Sequence, residues 1–492
     1  MKMLNYLCFL LSGLALSASA IERITVDPSG VGQGGFLGDP LISADGNTIV
    51  FWCSDPTFVD TDYGYWHTYA YDRLTDTFER LSNNTDGFSA LGNSFPADIS
   101  DDGRFVIFES EDELDPDDDN PDRDVYLRDR DSDETIWVSF THDGGDANAS
   151  CYAKAVSNDG RYVVFTSAAT NLVSPSTAPG QDHVYLRDRN TGELSIISQS
   201  TNGTLANNDC FQAKISGDGR YVVFSSSASN LLDGGLDTNG KQDIFIRDLQ
   251  ATPSPTTTRV SLTDTDAQIS DHSYDPDISS DGMMISFKSD DANIVTGVNP
   301  TVAYQFQIYV RDRNSDITKH VSRSTGGTIA ELRCDNPTIS PNGRYVVFSS
   351  VSDAIAPGTS GNQSDTFVHD LQTGITSRVS VGENGELGNG GSIEGVAAND
   401  GTVLFKSSAS NFVLDDDEGS SDLFVAPADA PVAYIPPSAG GASGDPNAAL
   451  RASLLNKLNK LKKKGKKAKG TPKAAKFKKK AKALKKKLKA LG

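Results

Sequence analysis

Short runs of β-branched and aromatic residues recur along this chain, each entered through an Asp-Gly or Asn-Gly pair set among polar residues. The clearest is Ser216-Gly217-Asp218-Gly219-Arg220-Tyr221-Val222-Val223-Phe224, and its echoes surround Gly46, Gly103, Gly160, Gly282, Gly343 and Gly401. Asp-Gly supplies the positive φ angles of a tight two-residue turn, and the apolar run after it reads as a buried strand. The pattern predicts seven hairpins. Successive turn glycines lie 57 to 63 residues apart, and a fixed period of that size means a repeat architecture.

One repeat can be read in full over 208–261. Residues 210–216 form a first strand, 220–225 a second, 243–247 a third and 258–261 a fourth, with turn residues between them. The third strand recurs as Asp124-Val125-Tyr126-Leu127-Arg128, His183-Val184-Tyr185-Leu186-Arg187 and Gln307-Ile308-Tyr309-Val310-Arg311, and the fourth as Trp137-Val138-Ser139 and His320-Val321-Ser322. Four short strands per repeat match a propeller blade. The seventh repeat lacks a fourth strand before a Pro-rich stretch begins. Arg23-Ile24-Thr25-Val26 looks like Arg259-Val260-Ser261-Leu262, so the N-terminal segment is expected to close the ring as the outer strand of blade seven, removing an open sheet edge.

With its Asp-Gly hairpins and Ile/Val-Tyr/Phe third strands, the region from 21 to about 430 resembles the TolB-like family of propellers built from WD40-like repeats. That resemblance implies an exported bacterial type of propeller. It is specific for fold and poor for function, because the family includes envelope proteins, binding scaffolds and the non-catalytic domains of hydrolases. The expected fold is all-β: a seven-bladed β-propeller of four-stranded antiparallel blades, closed by the N-terminal strand, plus a short α-helical basic tail. The expected divisions are a signal peptide over 1–20, the propeller over 21–430, a Pro/Gly/Ser linker over 431–446 and a Lys-rich amphipathic tail over 447–492.

Composition sharpens the ends of the chain. Lys2, the apolar run through Leu16 and Ala18-Ser19-Ala20 read as a secretory leader cleaved after Ala20, and no later stretch is long and apolar enough to span a bilayer. Residues 446–492 carry Arg451 and 18 lysines with no acid, while 21–445 carry 25 basic against 66 acidic residues. An acidic body thus bears a cationic tail. In the tail, Leu450, Leu454, Leu458 and Leu461, then Phe477, Ala481, Leu484, Leu488 and Leu491, fall on helical faces. Such a tail suits an anionic envelope polymer or lipid, or the protein's own body; the acidic propeller argues against nucleic acid. Cys151, Cys210 and Cys334 each stand six residues before the Ser of a turn, so they share one repeat position. Cys151 and Cys210 lie in adjacent repeats and read either as a disulfide or as buried thiols.

Loops between second and third strands, and between blades, are long and polar and share one face of the disc; the turns make the opposite, tight face. Binding is expected on the long-loop face. Three of those loops space oxygen ligands alike: Asp118, Asn120 and Asp124 in blade two, Asp237, Asn239 and Asp243 in blade four, and Asp416, Glu418 and Asp422 in blade seven. The spacing suits a structural Ca²⁺ in each, although the bidentate Glu of an EF-hand is missing and an Asx-rich turn would read the same way. The Asp ending each third strand, at 72, 129, 188, 248, 312 and 370, reads as a turn cap rather than a carboxylate ring. Gly30-Val31-Gly32-Gln33-Gly34-Gly35 matches GxGxxG by accident, with no helix pattern after it. The six histidines share no metal spacing, and neither a GxSxG elbow nor a P-loop is present.

These features favour an exported, non-enzymatic scaffold that binds protein or glycan through its long-loop face, in the periplasm or outside the cell. The alternative is a carbohydrate lyase or hydrolase on the same scaffold, using Asp271, His272, Tyr274 and Asp275.

Overall fold

The computed structural model describes residues 21–428, apart from 26–36, 55–64, 85–89, 178–179, 299–304, 357, 359–362, 383–384, 414–415 and 417–419, together with Lys482 and Lys485. Its strands form seven four-stranded antiparallel sheets. In blade four they are Cys210–Ile215, Tyr221–Ser226, Asp243–Asp248 and Thr256–Arg259, within two residues of the expected bounds. The first strand of every blade is innermost, and together the first strands line a central channel.

The ring closes as expected. Glu22–Arg23 pairs with Asp422–Pro427 as the outer strand of blade seven, in the register Glu22 to Val425 and Arg23 to Phe424. The Ile24 N–H then donates to the Leu423 carbonyl at 2.8 Å.

The hairpins differ in detail from the expected two-residue turns. In each, the glycine has positive φ (Gly219, +72°) but the preceding Asp or Asn does not. Gly219 N–H donates to the Ser216 carbonyl at 2.8 Å, which makes Ser216 to Gly219 one four-residue turn. Ser216 Oγ explains the longer loop: it donates to Asp218 Oδ1 at 2.6 Å and accepts the Tyr221 N–H at 2.9 Å, tying both arms together. Glycine is needed here twice over. A Cβ on Gly219 would lie 2.4 Å from the ring of Tyr162 in the preceding blade, and one on Gly282 would lie 2.3 Å from Tyr221.

Between the blades, the alternating apolar side chains of the second and third strands form the core, including cross-strand aromatic pairs that recur from blade to blade. Phe165 and Tyr185 stand 5.5 Å apart, Phe224 and Phe245 5.9 Å, and Phe348 and Phe367 5.7 Å between ring centroids. Cys53, Cys151, Cys210 and Cys334 are buried and unbridged within this core. Burial pushes the thiols of Cys210 and Cys334 up to about 12, so they are inert apolar fillers.

The chain divides into two units, Met1–Ala433 and Tyr434–Gly492. In the second, Lys482 and Lys485 are helical and exposed. Among the described residues no helix is long and apolar enough to cross a membrane. The leader over 1–20, the GxGxxG stretch and the leucine-bearing faces of the tail lie outside the described residues.

Candidate functional site

The two ends of the central channel are built differently. At the tight face, the turns are joined from blade to blade, mostly through the second residue of each turn. The backbone N–H groups of Ala44, Asn158, Gly217, Ser280 and Asn399 donate to the carbonyls of Asp101, Gly217, Ser280, Pro341 and Ala44, at 2.8–2.9 Å. Two steps use side chains instead. Asp101 N–H donates to Asn158 Oδ1 at 3.1 Å, and, because Pro341 has no N–H, Asn342 N–H donates to Asn399 Oδ1 at 2.7 Å. This belt passes through all seven blades and returns to its start. Ser280 Oγ also donates to Asp101 Oδ2 at 2.7 Å, joining blades five and two across the ring.

Above this belt the channel encloses about 720 Å³ and is lined by all seven first strands. Each of those strands carries a register shift beside the channel. In blades one, five, six and seven the shift holds a residue in the left-handed region: Asp39 (φ 48°), Asp275 (φ 51°), Asn336 (φ 54°) and Glu394 (φ 54°). Asp39, Asp275 and Asn336 each precede a proline, and Glu394 precedes Gly395. Sequence reasoning missed this group, although Asp-Pro, Asp-Pro, Asn-Pro and Glu-Gly at one repeat position were a readable signal. Blades two to four contribute Arg123, Lys154 and Lys214 to the same cavity. Lower down, Lys214 Nζ lies 3.1 Å from Asp98, and Asp277 accepts the Ile339 N–H at 2.8 Å.

Phe95 lines the cavity, and further aromatic side chains pack beside it. Trp52 stacks on Trp66 at 4.8 Å, and Phe95 stands edge-on to both. Gly38 makes room for this group, since a Cβ there would lie 2.9 Å from the Trp52 ring. Arg123 sits over Phe95 at 5.1 Å and Tyr152 at 5.7 Å, carrying the cluster into blade three. Tyr65, Trp66, Tyr152 and Phe211 are 40%, 37%, 39% and 36% exposed. Tyr274 and Phe306 stand 5.6 Å apart in blade five.

The residues expected to hold Ca²⁺ are brought together, but around protein partners. In blade four, Asp237 and Asp243 both face Arg259, at 3.3 and 3.4 Å, and Asp243 also accepts Ser261 Oγ–H at 2.6 Å and the amide of Asn239 at 3.3 Å. In blade seven, Arg23 lies 2.6 Å from Asp422 and 3.8 Å from Asp416; Glu418 is outside the described residues. Blade six repeats the device with Arg378 and Asp365 at 3.3 Å. The third strand thus offers a carboxylate to an Arg and a Ser or Thr of the outer strand. Blade two has Trp137 where the Arg would stand. There Asp124 accepts the Trp137 indole N–H at 3.1 Å and the Ser139 hydroxyl, Asn120 donates to it at 3.4 Å, and Asp118 accepts the Tyr126 hydroxyl. Asp118 is 4% exposed, its Oδ1 has no hydrogen-bond partner among the described residues, and burial pushes its carboxyl up to about 7. Among the described residues no group of three or more Asp, Glu, His or Cys side chains is placed to hold a metal ion.

The Asp residues ending the third strands are turn caps. Asp129, Asp188, Asp248 and Asp370 each accept the N–H two residues on, and each takes a bidentate pair from the Arg that follows a turn glycine. The four residues of the enzymatic alternative also have structural partners. Asp271 meets Lys241 at 2.8 Å, which holds its carboxyl below the usual range, and Asp275 meets Lys288 at 2.7 Å. His272 accepts the Gln242 N–H at 3.1 Å and stacks on Tyr274.

No family model matches the chain, and no curated protein matches it in sequence. Solved structures similar to it include two TolB proteins. One is a putative TolB from Agrobacterium tumefaciens, 15% identical over 58% of this chain and 81% of that one, with a TM-score of 0.36. The other is TolB from Acinetobacter baumannii, 15% identical over 81% of each chain, with a TM-score of 0.34. An oligogalacturonate lyase from Vibrio parahaemolyticus is 14% identical over 83% of this chain and 93% of that one, with a TM-score of 0.47. The seven-bladed ring itself rests on the strand pairing.

Proposed function

We propose that this protein is an exported, non-enzymatic propeller that binds a glycan chain at the long-loop mouth of its channel. The exposed aromatic cluster carries this reading. Phe95 lines a cavity of about 720 Å³ together with charged groups, and the indole and phenol rings packed beside Phe95 and Arg123 suit sugar rings, which have apolar C–H faces and hydroxyl edges. A cavity of that size falls in the range of about 300–1,000 Å³ usual for ligand sites. The belt of hydrogen bonds at the other end supports entry from the long-loop side.

The non-enzymatic part of the reading is supported by the pairing of Asp271 with Lys241 and of Asp275 with Lys288, which ties up both carboxylates of the enzymatic alternative. Export is supported by the leader-like residues 1–20, and contact of the tail with anionic envelope material by its 18 lysines and Arg451. A structural Ca²⁺ is proposed for the blade-two loop alone. Arg259 and Arg23 neutralise the matching acids in blades four and seven, whereas Asp118 has no such partner among the described residues.

The test is binding of the full chain to a panel of envelope and extracellular oligosaccharides, repeated with Trp66→Ala and Tyr152→Ala. Saturable binding that both substitutions weaken at least about tenfold supports the reading. Binding of proteins but no glycan, or glycan binding indifferent to both substitutions, refutes it.

A further inference from the structure

The channel lining carries charges of both signs. Blades five, seven and one carry Asp275, Glu394 and Asp39 in the left-handed bulges, blades two to four carry Arg123, Lys154 and Lys214, and Asp98, Asp101, Glu109 and Asp277 line it as well. Most of these groups are already matched. Glu394 meets Lys406 at 2.6 Å and Asp275 meets Lys288 at 2.7 Å, each lysine rising from the neighbouring second strand. Arg123 is held by Glu109 at 2.6 Å and by Glu111, and Lys214 by Asp98 at 3.1 Å.

Asp101 and Asp277 form no ion pair among the described residues but accept hydrogen bonds, Asp101 from Asn158 and Ser280 and Asp277 from the Ile339 N–H, which leaves Lys154 and Asp39. Lys154 forms no ion pair among the described residues, and its ammonium lies 5.6 Å from the centroid of the Tyr152 ring. Burial, with Lys214 and Arg123, disfavours its charged form, against the partial support of Glu109 and Asp182. Asp39 is exposed, accepts the Trp52 indole N–H at 2.8 Å and forms no ion pair among the described residues; partial desolvation and Glu394 disfavour its charged form, while that hydrogen bond and Lys406 favour it. Each group would gain from an opposite charge brought into the cavity, and a ligand carrying only one charge would satisfy only one of them.

We infer that the channel takes a zwitterionic sugar unit, setting the ligand's carboxylate against Lys154 and its ammonium against Asp39. This rests on the glycan reading above and adds which sugars are chosen. The aromatic cluster would hold the chain, and the two channel charges would select units that carry both a free amine and a uronic acid. The left-handed bulge fits that role, because it turns Asp39 into the cavity beside the stacked Trp52.

The experiment is calorimetric titration of the full chain with three forms of one hexasaccharide of alternating uronic acid and glucosamine. The first has free amines, the second is N-acetylated and keeps only its carboxylates, and the third is carboxyl-reduced and keeps only its amines. The doubly charged form should bind at least about tenfold more tightly than either other form. Lys154→Gln should abolish the advantage over the amine-only form, and Asp39→Asn the advantage over the N-acetylated form. Both variants should keep the native melting temperature within a few degrees, which separates lost recognition from lost folding. Equal binding of all three forms, still dependent on Trp66, overturns the inference and leaves the glycan reading standing. Binding of another glycan but of none of these three also overturns the inference alone, and failure to bind any glycan overturns both.

Discussion

Arg23 Nη2 lies 2.6 Å from Asp422 Oδ2, so an ion pair buried on both sides joins the first described strand of the protein to its last. Blade seven is thereby completed by residues from both ends of the propeller, and the seal uses the same outer-strand Arg and third-strand Asp as blades four and six. Arg23→Ala should lower stability by about 3–5 kcal/mol, because it strips the guanidinium from a fully buried carboxylate. Glu22→Ala, one residue away and exposed, should change it by less than about 0.5 kcal/mol. Thermal unfolding of the two variants side by side checks this, and similar melting temperatures would count against closure by this strand.

Turn glycines should tolerate no side chain. Gly219→Ala combines an unfavourable positive φ with an overlap on the Tyr162 ring, and should cost about 2–4 kcal/mol. Adding Tyr162→Ala removes the overlap but not the backbone strain. In denaturant unfolding, the double variant should therefore lose less than the sum of the two single losses; strict additivity would mean that the contact does not matter.

Asp129 and Asp370 are held down to about 2, first by hydrogen bonds from Arg104 and Arg344. Their folded values lie below the unfolded one near 3.8, so their contribution is complete above about pH 4 and is lost as pH falls through 2. Arg104→Gln and Arg344→Gln together should flatten the acid limb of a stability–pH curve over that window. An unchanged limb would place the acid sensitivity elsewhere.

In blade two, Ca²⁺ at millimolar concentration should raise the melting temperature at neutral pH through Asp118, Asn120 and Asp124, and the rise should vanish in Asp118→Asn. Asp243→Asn in blade four should leave the rise intact. A melting temperature unmoved by Ca²⁺ in the unaltered protein would remove the metal from the account.

Much of the ring was legible in the sequence, because the blades repeat one short pattern: an Asp-Gly or Asn-Gly turn, a β-branched run and, in six of the seven, a third strand ending in Asp. Even the closure could be read from the likeness of Arg23-Ile24-Thr25 to Arg259-Val260-Ser261. The turn type could not, since Ser216 Oγ draws Gly217 and Asp218 into a longer loop through contacts that Asp-Gly alone does not encode. The acid-rich loops were found, but not the partners of their carboxylates: Arg259 lies outside the Asp237 to Asp243 loop, and Arg23 comes from the far end of the chain. The channel site was missed for a related reason. Asp39, Lys154 and Trp66 belong to three different repeat positions, and only the ring brings them to one mouth.

Hydrogen–deuterium exchange of the full chain, with and without a bound oligosaccharide, tests most directly where the ligand sits. The account predicts slower exchange at the long-loop ends of the first strands, around 37–40, 94–97, 151–154 and 210–213, and no change at the Asp-Gly turns near 218, 281 and 342. Protection confined to those turns, or to the outer strands, would contradict it.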